Sequence, residues 1–359
     1  MKGTVQSSFE KSEAVTGRLE SVEFMRFLAA FLVLITHCGF YVHERLDSDF
    51  EYWRRGSSGV GLFFVISGFV MILSSQKLLL CANGWKTFAL RRLSRIVPIY
   101  WMATTAKVIA MLVAAHHVLH AEFDLPFIIR SYFFVPSYNP LDRTIQPILG
   151  VGWTLVFEMF FYILFTLALF WKLRPIKFIG IIILFVSAGS VFREAMLSME
   201  RFPVFYFLLD TVMLNFLFGM VLGELYQRKR LLGPTTALFA VVLGMLSIVF
   251  DVFSIAGGPV PSIISIGLAS FFVLWGCASI EQSRRLTIPV IFVFLGAASY
   301  STYLFHPLLA PIVPVLFKKL GLENPWLAVL CSILFALSAT SLIYQYVERP
   351  ITRFLASKV

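Results

Sequence analysis

Charged residues are scarce in this sequence. Lys, Arg, Asp and Glu make up 14% of 359 residues, against about 25% in an ordinary soluble domain. Hydrophobic residues reach 58%, Phe alone occurs 38 times, and mean hydropathy is +0.83. That balance excludes a water-soluble globule, which needs far more polar surface. Cysteine is nearly absent as well. Cys38, Cys81, Cys277 and Cys331 show no paired spacing, which argues against a disulfide framework and against a thiolate metal site. No ligand set for any metal is visible, and no tandem repeat of about 20–50 residues marks a solenoid.

What is abundant is apolar sequence in long runs. A membrane-spanning helix needs about 20 mostly apolar residues, and ten stretches qualify: 23–42, 59–75, 98–119, 152–171, 176–192, 204–225, 235–253, 260–280, 288–309 and 326–346. The predicted fold is therefore all-α, a polytopic integral membrane bundle of about ten transmembrane helices. Its domain organisation is simple: a polar tail over 1–21, one transmembrane domain over 22–350 and a short tail over 351–359. The first twenty residues are polar and mixed in charge rather than basic and then apolar, so the first span is expected to insert uncleaved.

The net charge of +10 invites a nucleic-acid reading, but its distribution follows topology. With the N-terminus inside, nineteen of the thirty Lys and Arg residues fall in cytoplasmic segments and nine in outer ones, leaving Arg26 and Lys107 inside helices. This is the positive-inside pattern. It predicts both termini in the cytoplasm, the bilayer as partner and no nucleic acid. The longest outer loop, about 120–151, is rich in Pro and aromatic residues. Its length suits a lid or binding surface, and its aromatic side chains suit either ligand stacking or the lipid interface.

Chemistry enters with "RFLAAFLVLITH", residues 26–37. Arg26 and His37 are eleven residues apart, which at about 100° per residue returns within roughly 20° of the same helix face and separates them by about 16 Å along the axis. Ionisable side chains inside a bilayer face the bundle interior or a wet cavity. Arg26 is near enough to the headgroups to snorkel, so anchor and ligand roles both stand open for it. His37 is deeper and must be paired or used.

Two other spans bring polar groups to similar depth. In "GWTLVFEMFFYILF", Thr154, Glu158 and Tyr162 recur at i, i+4 and i+8, a polar stripe on an apolar helix. In "SYSTYLFHP", Ser299, Tyr303 and His306 share a face. His37, Glu158 and His306 converge at one depth, and a carboxylate beside an imidazole fixes its tautomer and suits it to proton abstraction, so Glu158 or a neighbouring polar group is expected to orient His37. Ser67-Gly68 in the second span offers close helix approach or, through Ser67, a ligand contact. After that span, Arg91, Arg92 and Arg95 form a basic cluster suited to phosphate or to anchoring inside, with Pro98 expected at the first turn of the third helix.

The ordered set "LESVEFMRFLAAFLVLITH", "GVGLFFVISGFVM", "RRLSRIVPIYW", "GWTLVFEMFFYILF", "SYSTYLFHP" and "YVERPITRF" resembles acyltransferase family 3. These are membrane-bound O-acyltransferases of bacterial surface and secreted polysaccharides, exopolysaccharide acetyltransferases among them. The resemblance covers nearly the whole chain. It implies that Arg26 and His37 are the signature pair and that Arg91, Arg92 and Arg95 serve the acyl-CoA donor, with Ser67 beside it.

On that reading acetyl-CoA is the donor substrate, no cofactor is tightly bound, and a carbohydrate is the acceptor. His37, Glu158 and Arg26 form the catalytic group, while Trp153, Tyr303 and His306 contact the acceptor. His37 acts either as a base or as a covalent acyl carrier. A transporter, a flippase or a scaffold of polysaccharide export would also be polytopic; a transporter would usually show paired broken helices in two repeated halves, and no such symmetry is visible.

Overall fold

The computed structural model of the protein describes residues 19–113, 123–193, 203–250, 262–283 and 287–358. The polar tail before residue 19 and the charges Arg201, Arg284 and Arg285 lie outside the described residues. Among the described residues the chain is all-α, with one isolated bridge between Tyr138 and Ile145. Eight helices are long and apolar enough to cross a membrane, and the protein is a multi-pass membrane bundle.

The helices are α1 (Glu20–Arg45), α2 (Ser58–Leu79), α3 (Gly84–Val113), α4 (Leu125–Tyr132), α5 (Trp153–Phe170), α6 (Pro175–Ala188), α7 (Pro203–Leu208) and α8 (Met213–Gln227). They continue as α9 (Pro234–Phe250), α10 (Ser262–Gln282), α11 (Val290–Ala297), α12 (Ser299–Leu309), α13 (Ile312–Lys319), α14 (Pro325–Ile343) and α15 (Arg349–Ala356), with a π-helical turn, Tyr344–Glu348, before the last. The centre of the bundle is α1. It carries Glu20 and Glu23 in its first turn and His43 and Arg45 in its last, charges that complement the helix dipole. Against it pack α2, α10, α11, α12, α13 and α14.

Three departures from the expected spans have local causes. The stretch 204–225 breaks into α7 and α8, because Asp210 accepts the Val212 N–H at 2.9 Å and pairs with Arg193 at 2.9 Å, holding a turn where a continuous helix was expected. The stretch 288–309 is interrupted at Ala298, between α11 and α12. The third span begins at Gly84, so Pro98 sits inside α3 rather than in its first turn. An interior proline costs about 3 kcal/mol. Burial of Phe88, stacked on Phe165 at 5.6 Å, offsets part of it at about 1.5–3 kcal/mol for a large apolar side chain.

Helix α2 packs closely on α8, and small residues explain it. A Cβ on Gly68 would lie 2.2 Å from the Phe216 carbonyl oxygen, and one on Gly219 1.9 Å from that of Val65. Backbones meet there without intervening side chains. The ring of Phe216 then stacks on Phe161 of α5 at 3.6 Å, so α8 ties α2 to α5.

A Gly68→Ala change must therefore separate α2 from α8. It is expected to destabilise the protein by about 1–3 kcal/mol, read as a lower melting temperature in detergent. Gly233→Ala, where a Cβ meets nothing within 4 Å, serves as the neutral control; equal melting of both variants would refute the close contact.

Candidate functional site

Two cavities lie inside the bundle and share the walls Val60 and Tyr303. The smaller, about 100 Å³, takes Arg26 from α1, Ser67 from α2, Arg92 and Arg95 from α3, and Glu158 from α5. The larger, about 980 Å³, takes His37 from α1, Lys107 from α3, Trp153 from α5 and Asn139, Asp142 and Gln146 from the long loop. That loop thus lines a cavity over residues 139–151, one of the two roles its length suggested.

Three guanidiniums and Glu158 line the small cavity, and two further carboxylates, Glu23 and Glu348, interact with its arginines. Arg26 lies 3.7 Å from Glu23 and interacts by charge with Glu158 and Glu348 as well. Arg92 donates to the Ser74 hydroxyl at 2.6 Å and lies over the rings of Phe88 and Tyr162, at 5.6 and 5.8 Å. Glu158 accepts from the Tyr162 hydroxyl at 2.6 Å, and the whole predicted stripe of Thr154, Glu158 and Tyr162 faces this cavity. Glu348, presented by the π-helical turn, is buried and accepts from the Ser301 N–H at 3.1 Å and the Ser301 hydroxyl at 2.5 Å. It interacts by charge with Arg95 and Arg26.

The cluster obeys the rule that a charge withdrawn from water is matched and hydrogen-bonded. It also leaves a largely apolar chamber into which cationic forks project, and such forks suit phosphate oxygens. Arg91 is not part of it. Its side chain is exposed and does not line the cavity, although at i, i+4 it lies only about 40° round α3 from Arg95.

The large cavity holds the histidine. His37 Nδ1 lies 3.0 Å from His306 Nε2 and 3.1 Å from the Val33 carbonyl oxygen, while His306 Nδ1 lies 2.9 Å from the Thr302 carbonyl oxygen. His306 is fully buried. The expected pairing of His37 with Glu158 is therefore replaced: the ring's partner is His306, and the carboxylate turns to Tyr162 and the arginines. The physical reason is the stronger pull of three cations over a neutral imidazole. His306, expected to contact the acceptor, instead stands behind His37. Tyr303 occupies the partition, its hydroxyl 3.0 Å from Thr154 Oγ1 and donating to the Val151 carbonyl at 3.1 Å.

Sequence reasoning overlooked Glu348. The available signal was a lone acid in an apolar stretch, followed directly by Arg349-Pro350. Its aim depends on a π-turn, a feature often found at functional sites that no hydrophobic period announces. Lys107 was noticed only as a charge inside a helix, and it too lines the large cavity.

Comparison with known proteins matches residues 19–345 to the acyltransferase domain of the third acyltransferase family. The exopolysaccharide production protein ExoZ of Rhizobium meliloti is 34% identical over 84% of this chain and 92% of the relative. The acyltransferase MdmB of Streptomyces mycarofaciens is 23% identical over 95% of this chain and 93% of its own. A Bacillus subtilis protein named for peptidoglycan O-acetylation, YrhL, is 24% identical over 84% of this chain, which spans 51% of that relative. No solved structure matches. A family match over nearly the whole chain, on a bundle whose buried histidine and arginine chamber meet at one tyrosine, establishes that this protein belongs to acyltransferase family 3 and is an acyl-transferring membrane enzyme.

Proposed function

We propose that the protein transfers an acetyl group from acetyl-CoA to a hydroxyl of a bacterial surface or secreted polysaccharide, or of its lipid-linked precursor, across the inner membrane. The observation that carries this reading is the pair of adjoining cavities, one rich in guanidinium and one holding His37, with Tyr303 between them. The relatives named for exopolysaccharide production and peptidoglycan O-acetylation support a glycan acceptor. A transporter or scaffold reading has no observation of its own in favour of it.

With both termini in the cytoplasm, the arginine chamber opens inward. Arg92 and Arg95 then hold donor phosphates, and the pantetheine arm runs past Arg26 and Ser67 towards Tyr303. The acceptor enters the large cavity from outside, against Trp153 and the long loop. His37 takes the proton of the attacking hydroxyl as its oxygen bonds to the thioester carbonyl carbon. The carbon–sulfur bond breaks, the imidazolium returns its proton to the departing thiolate, and free CoA and the ester remain. Burial keeps water from competing as the nucleophile.

Two measurements test the reading. His37→Ala should leave the protein inserted and abundant while the host glycan loses its O-acetyl groups, seen by NMR of the isolated polymer; unchanged acetylation would end the assignment. Arg92→Ala and Arg95→Ala should each weaken acetyl-CoA binding by roughly 10- to 100-fold, the loss of one hydrogen-bonded charge contact, whereas Arg91→Ala, on the exposed face, should change it by less than about threefold. Equal effects at all three positions would contradict the donor chamber.

A further inference from the structure

The two histidines fix each other's protons. A backbone carbonyl can only accept, so the 2.9 Å contact between His306 Nδ1 and the Thr302 carbonyl oxygen requires the hydrogen of neutral His306 to sit on Nδ1. Its Nε2 is then an acceptor. The atom facing it at 3.0 Å is His37 Nδ1, which must be the donor. Independently, the Val33 carbonyl oxygen at 3.1 Å from the same His37 Nδ1 demands a hydrogen there too. Two carbonyls on two different helices thus dictate one pattern, and it leaves the lone pair of His37 on Nε2.

Resting on the reading of His37 as the base, we propose that His306 is a positioning residue. It holds His37 as the Nδ1–H tautomer, so that Nε2 is the atom that takes the acceptor's proton. Unconstrained histidine in water favours the opposite tautomer, which would present a hydrogen and not a lone pair at that atom. The Val33 carbonyl alone is a weak constraint, because it already accepts the helical N–H of residue 37. His306 supplies an acceptor of its own, and the same acceptor holds the Nδ1–H of the imidazolium formed during transfer.

The surroundings of His306 are built to keep it in place. It is 1% exposed, and Thr302, whose carbonyl it faces, is itself tied to Thr340 of α14 through hydroxyls 3.0 Å apart. The Tyr303 ring lies 6.1 Å from the His306 ring, closing the side towards the small cavity. A ring so enclosed has no route to a substrate, and its effect on the reaction passes through His37.

The test reads protons and turnover separately. Nitrogen-15 spectra of histidine-labelled enzyme in nanodiscs, with the His37 signals assigned by their loss in His37→Asn, should show Nδ1 protonated and Nε2 bare. His306→Leu should lower kcat about 100-fold, as removal of a partner that orients an imidazole does, while KM for acetyl-CoA moves less than about twofold. His306→Gln, which keeps an acceptor at the same reach, should recover at least about tenfold of that loss. A His37 ring protonated on Nε2 in active wild-type enzyme, or wild-type kcat in His306→Leu, would overturn the proposal. Should His37→Ala still acetylate, the base assignment falls instead, whatever tautomer the spectra report.

Discussion

Charge inside a bilayer has to be answered inside the protein, and this constraint organises the bundle. A guanidinium at membrane depth is tolerated when it faces a wet cavity or a counter-charge. Arg26, Arg92 and Arg95 come from two helices, and the carboxylates that answer them, Glu23, Glu158 and Glu348, come from three segments far apart in the chain. Satisfying these charges draws α1, α3, α5 and the π-helical turn to one place. Apolar packing between the same helices has no such power to select partners, because lipid tails are as apolar as the side chains.

The charge cluster also decides where the imidazole goes. With Glu158 occupied by Tyr162 and the arginines, His37 is left to neutral partners, the Val33 carbonyl of its own helix and His306 of α12. Polar cluster and histidine pair are then separated by Tyr303, which is held by Thr154 of α5 and by Val151 in the turn just before it. The same hydroxyl contacts that fix the tyrosine fix the boundary between the cavities.

Much of this was legible in the residues. Apolar runs gave the helices, Gly68 gave the close contact with α8, and the 3.6 period placed Arg26 with His37 and Thr154 with Glu158 and Tyr162 on inward faces. What stayed hidden is long-range or irregular. His37 and His306 are 269 positions apart, and matched depth alone could not decide between His306 and Glu158 as the partner. Pro98 reads as a helix start because interior prolines are penalised, yet packing of Phe88 and Ile96 carries α3 through it. The breaks at Asp210, where the side chain caps a turn, and at Ala298 fall inside stretches that read as single apolar runs. Neither leaves a trace in a hydropathy profile.

The spacing of the first helix then acquires a physical sense. A donor rich in phosphate calls for arginines, while a base must accept a proton and become a cation during turnover. Placed about 4 Å apart at an effective dielectric of about 20, a guanidinium and an imidazolium repel by about 4 kcal/mol; at about 16 Å the repulsion is near 1 kcal/mol. Three helical turns between Arg26 and His37 keep both groups on the inward face of α1 and remove most of that penalty. On the proposed reading one helix thereby serves both cavities, handling the donor's charge at one level while its histidine, held by a neutral partner, remains free to take a proton at the other.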